Sequence, residues 1–123
     1  MAAGSRRFPQ DERMRHRWEF ERVRKSGQTV RGRSMILSLA SCPDRLERRV
    51  GFVVTRRCGG AVKRNLVRRR MREIYRLNRS RLKRGMHLVL IARSPGQEAT
   101  YRQMNEEFLS LYHTAVTRIC GKG

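Results

Sequence analysis

With 123 residues the chain is sized for one domain, long enough to bury a hydrophobic core without staples. Thirty Lys and Arg against ten Asp and Glu leave a formal charge of +20, which repels itself in a compact monomer unless a polyanion neutralises it. No stretch is apolar for long enough to span a bilayer, and no apolar run follows the basic first residues, so the expectation is no membrane span, no secretory signal and a cytoplasmic protein that meets nucleic acid. Residues 1–10, small, polar or basic around Pro9, are expected to be a flexible tail, with a single domain over residues 11–120.

From Asp11 to Lys25 the composition favours a helix, with acids near its start and Arg24 and Lys25 near its end to suit the helix dipole. Its apolar residues form no single stripe. Met14 and Trp18 fall on one side, Phe20 and Val23 on roughly the other, so one of the aromatics Trp18 and Phe20 is expected to be buried and one exposed. Residues 30–41 read as a strand carrying Met35, Ile36, Leu37 and Leu39, with room for a further short strand near Thr29–Val30. After a Cys42-Pro43-Asp44-Arg45 loop, Val50–Thr55 reads as a second strand, and the short connection predicts that the two pair antiparallel.

Gly59-Gly60 breaks the chain before a helix from Ala61 to about Asn78. On a helical wheel Val67, Met71, Ile74 and Leu77 form an apolar stripe, and Arg64, Asn65, Arg68, Arg69, Arg72 and Arg76 fill a separate arc of roughly 140°. Arg70 falls on the apolar side and has to snorkel outward. Met86–Ala92 is almost continuously apolar, the pattern of a central strand buried on both faces. A last helix runs from about Glu98 to Ile119, with Tyr101, Met104, Phe108, Leu111, Ala115 and Ile119 inward.

Catalytic groups are scarce. The three histidines have no metal-like spacing, His87 alternates with apolar neighbours, and Glu106 and Glu107 point in different directions on one helix. No convergent pair of acids is visible for acid–base or two-metal work, so neither a catalytic residue nor a protein metal site is assigned. The three cysteines share no ligand spacing and are read as free thiols. The basic helix is the stronger signal: a solvated helix face usually mixes Glu with Arg, and here Glu73 is the one acid in the run. Arginine adds a flat fork of donors that grips phosphates and stacks on bases.

The run Gly51-Phe52-Val53-Val54-Thr55-Arg56-Arg57-Cys58-Gly59-Gly60-Ala61-Val62-Lys63-Arg64-Asn65, with Val67-Arg68-Arg69 and Arg72-Glu73 after it, resembles the signature of the bacterial ribonuclease P protein component. The likeness extends over most of the chain. It implies an α+β fold, a single-domain two-layer α-β sandwich like the second domain of ribosomal protein S5, with a left-handed β-α-β crossover. It implies an auxiliary subunit of the ribonucleoprotein endonuclease that removes the 5′ leader from precursor tRNA. The implied partners are the ribonuclease P RNA subunit, which carries out hydrolysis with Mg²⁺ that it mainly holds itself, and precursor tRNA with its 5′ leader. Carried onto this sequence, RNA-subunit binding maps to Arg64, Asn65, Arg68, Arg69 and Arg72, and a separate leader-binding cleft to Phe20, with Arg56 and Arg57 nearby. Two positions depart from the family pattern: Leu66 stands where a third basic contact is usual, and Gly60 where the turn usually has asparagine. A noncatalytic ribosomal or RNA-chaperone module is permitted equally by composition, while a self-sufficient nuclease lacks its carboxylates.

Overall fold

The computed structural model describes residues 12–41, 47–93 and 100–120. The N-terminal tail, the Cys42–Arg45 loop and the stretch through Ser94, Pro95 and Glu98 lie outside the described residues. In chain order the elements are α1 (Arg17–Ser26), β1 (Gln28–Arg31), β2 (Met35–Ser41), β3 (Arg49–Val53), α2 (Ala61–Asn78), β4 (Met86–Ala92) and α3 (Tyr101–Cys120), with 3-10 turns at Arg56–Cys58 and Arg79–Arg81.

The four strands form one sheet in the order β1-β2-β4-β3. β4 pairs antiparallel with β2 from Met35↔Ala92 to Ser41↔Met86, and parallel with β3 from Arg49↔His87 to Val53↔Ile91. The expected direct pairing of the second and third strands is therefore wrong. β4 lies between them because its near-continuous apolar run can be buried on both faces, which outweighs closeness along the chain. α2 is then the crossover between the parallel strands β3 and β4. The further short strand near Thr29–Val30 is present as β1, so the strand expected over 30–41 shortens to β2, with residues 32–34 between them.

Alternation along the strands sorts side chains into two clusters. Met35, Leu37 and Leu39 of β2 join Leu88, Leu90 and Ala92 of β4 beneath α2 and α3. Ala40 and Val89 face the other way and meet Met14 and Val23, with Phe20, Val53 and Ile91 against them. From α2 the larger cluster takes Val67, Met71, Ile74 and Tyr75, and from α3 it takes Met104, Phe108, Leu111, Tyr112 and Ala115. Leu77, expected inward, is 54% exposed, and Tyr75 and Asn78 are buried in its place. Asn78 fits because its amide donates to Ile74 O at 2.8 Å and to Asn105 Oδ1 at 2.7 Å.

Local signals set the ends. Thr100 Oγ1 accepts from the Gln103 N–H and Gln103 Oε1 from the Thr100 N–H, a reciprocal cap that starts α3 at Tyr101. Glu107, the inward member of the Glu106-Glu107 pair, accepts from Ser34 N at 2.9 Å, Ser34 Oγ at 2.7 Å and Met35 N at 3.1 Å, tying the β1–β2 turn to α3.

Candidate nucleic-acid interface

α1 is shorter than its composition suggests. It begins at Arg17, and of the residues expected in its first turn Arg13 bridges to Val50 and the Met14 N–H donates to Val50 O at 2.8 Å. This segment lies along β3, the strand at the edge of the sheet. Glu12 anchors it. The carboxylate is 5% exposed, accepts from Tyr75 Oη at 2.6 Å and Arg79 Nε at 2.8 Å, and has Arg48 at 3.7 Å.

A cavity of about 90 Å³ opens between this segment, β3 and α2, lined by Arg13, Met14, Phe20, Gly51, Phe52, Arg68 and Arg72. Its floor is apolar and aromatic and its rim carries three guanidinium groups. Gly51 makes the floor possible: a Cβ there would stand 2.4 Å from Cε1 of Phe20, so only glycine lets the ring lie against the strand. Burial first, then the charges of Arg13 and Arg68, hold the Arg72 pKa below its ordinary value. Three like charges beside an apolar floor repel one another, and a bound anion would relieve that repulsion.

The expected site residues divide. Phe20, Arg68 and Arg72 come together in the cavity, whereas Arg64, Asn65 and Arg69 do not line it. Arg64 is half-buried, and its Nε has no hydrogen-bond partner among the described residues. Asn65 and Arg69 are exposed, and Arg68 Nη1 donates to Asn65 Oδ1 at 3.3 Å. Arg56 and Arg57 are exposed on the 3-10 turn before α2 and do not line the cavity either. Arg76 drops out of the basic arc, because Glu73 pairs with it one turn back. Of the two aromatics in α1, Trp18 is the exposed one and Phe20 is half-buried. Arg13 was missed: read as the first turn of a helix, it had no reason to face α2.

Gly59 has φ 114°, a conformation for which glycine is suited, while Gly60 has φ −72° and open space where a Cβ would be. The departure at Gly60 therefore costs the backbone nothing. Leu66 is 39% exposed on α2 beside the basic face.

A family model described as Ribonuclease P matches residues 8–116. The chain belongs to the ribonuclease P protein family. The ribonuclease P protein component of Finegoldia magna is 34% identical over 110 residues, covering 89% of this chain and 96% of that protein. That of Chloroflexus aurantiacus is 40% identical over 104 residues, covering 84% and 76%. Among solved structures, the Staphylococcus aureus RNase P protein superposes with a TM-score of 0.77 at 25% identity, covering 85% of this chain and 94% of that one. The Thermotoga maritima RNase P protein gives 0.71 at 28% identity, covering 82% and 94%. The α+β fold is thus that of the ribonuclease P protein, and the chain is the protein subunit of the ribonucleoprotein endonuclease that matures the 5′ end of tRNA, with the ribonuclease P RNA as its partner. Catalysis in ribonuclease P is RNA-based and generally Mg²⁺-dependent. Among the described residues no helix is long and apolar enough to cross a membrane.

Proposed function

We propose that the outer face of α2, through Arg64, Asn65, Arg68, Arg69 and Arg72, docks the RNA subunit, and that the cavity floored by Phe20 receives the 5′ leader of precursor tRNA. The observation that carries this reading is the Phe20 ring lying against Gly51 beneath Arg13, Arg68 and Arg72. Arg68 and Arg72 belong to both surfaces, so the leader runs along the seam between protein and RNA subunit rather than in a separate cleft. Arg56 and Arg57, exposed at the start of the crossover, add charge along the approach. Mg²⁺ is held mainly by the RNA subunit: three arginines and no carboxylate line the cavity, which is no oxygen cage for a hard cation. The protein's part is to lower phosphate repulsion and hold the leader while RNA performs hydrolysis, in the cytoplasm.

Phe20→Ala tests this in the reconstituted holoenzyme. Loss of a base-stacking ring should weaken binding of leader-bearing precursor tRNA about tenfold and leave leaderless tRNA unchanged. Equal losses for both RNAs would reject the leader role.

A further inference from the structure

Trp18 stands outside the cavity just described. It is the chain's one tryptophan, 49% exposed, in the first turn of α1, with its ring stacked on His16 at 6.1 Å between centroids and 12° between planes. His16 in turn lines a second depression, of about 300 Å³, together with Arg13, Arg15, Glu19 and Arg49. The walls of this depression are fixed from beneath. Glu19 is 6% exposed, and its Oε1 accepts from the backbone N–H groups of Arg15 at 2.8 Å and His16 at 3.0 Å. Its other oxygen lies 3.7 Å from Arg49 Nε, with Glu47 on the far side of Arg49 at 3.8 Å. The one carboxylate in the lining is thus engaged with the walls, and three arginines surround it.

Arg13 lines both this depression and the Phe20 cavity. A strand that leaves the cavity past Arg13 therefore enters the second depression, where it meets cationic walls with an exposed indole beside them. Phosphate contacts from arginine and stacking on an aromatic face are the two elements of single-strand recognition. A protein partner for Trp18 is the poorer fit, because Arg15, Arg17 and Arg22 surround the ring in sequence.

We infer that the depression and Trp18 form a second nucleotide site for single-stranded RNA, in which Arg13 and Arg15 take a phosphodiester group and Trp18, backed by His16, stacks on the base of a leader nucleotide beyond the one in the Phe20 cavity. This rests on the leader reading of that cavity. It gives the protein two successive stacking positions joined by one shared arginine.

The experiment uses the holoenzyme and precursor tRNAs whose leaders are lengthened one nucleotide at a time. Affinity and Trp18 fluorescence are both recorded. Wild type should gain affinity when the leader first reaches the Phe20 cavity and again at a greater length, with Trp18 emission quenched only at the second gain. Trp18→Ala should abolish the second gain, about tenfold, and keep the first, while Trp18→Phe retains most of both. Arg15→Gln should weaken the second gain and lower its salt slope by about one phosphate's share. Trp18 is half exposed, and the phenylalanine variant separates stacking from any disturbance of α1. A single gain in wild type, an equal loss at all leader lengths in Trp18→Ala, or quenching by the RNA subunit alone would overturn the second site. Absence of the first gain would instead overturn the leader reading of the cavity.

Discussion

Glu12 and Tyr75 are 63 positions apart in the chain and meet through a 2.6 Å hydrogen bond, with Arg79 and Arg48 completing the site. Burial alone would raise the Glu12 pKa, but hydrogen bonds from Arg79 and Tyr75 and the charges of Arg79 and Arg48 outweigh it and set the value below the ordinary 4.5. A carboxylate depressed in the folded state contributes stability that is complete above its unfolded value and is lost as pH falls through the folded one. Glu12→Gln should therefore unfold about 3 kcal/mol more easily in urea at neutral pH, since it leaves Arg79 and Arg48 without their counter-charge. The gap from wild type should narrow as pH falls below 4.5. A gap that stays constant down to strongly acid pH would contradict the assignment. Arg68 and Arg72 were legible because they sit in one contiguous motif, and Phe20 through the family resemblance. Glu12 and Arg13 were not, since nothing in the chain marks an acid in the N-terminal segment as the partner of a tyrosine near the end of α2.

At the scale of elements, α2 shows what periodicity reads well and where it slips. The separation of Val67, Met71 and Ile74 from Arg64, Arg68 and Arg72 follows directly from 3.6 residues per turn. The last turn departs because Tyr75 reaches Glu12 and Phe52, the latter with ring centroids 6.4 Å apart, and this rotates the buried stripe away from Leu77. Strand identity was also legible, β4 as the central strand above all. Partner choice was not, because the local pattern cannot say that β4 enters between β2 and β3. Leu66 gives this helix its own prediction. Arg68→Ala should lower the salt slope of RNA-subunit binding by about 0.7–0.9 log unit per log salt, and Leu66→Arg should raise it by a similar amount. Titrations across a range of salt concentrations in which neither slope moves would remove both positions from the docking face.

The whole molecule is an accessory built around charge. Its formal +20 sits on a fold whose buried acids, Glu12 and Glu19, are engaged in holding loops and helix ends. The sheet supplies a floor at the β3 edge, α2 supplies a cationic wall, and the N-terminal segment closes the opposite side. The arrangement sets three guanidinium groups, those of Arg13, Arg68 and Arg72, around one cavity. The function class was legible from charge and motif together, while the meeting of Arg13, Phe20, Arg68 and Arg72 around one cavity emerged only in three dimensions. The most direct measurement is cleavage of precursor tRNA at low Mg²⁺ by a cognate RNA subunit, with and without this protein. The account predicts no cleavage by the protein alone and clear stimulation of the RNA when both are present. Cleavage by the protein alone, or an RNA rate that the protein leaves unchanged, would contradict it.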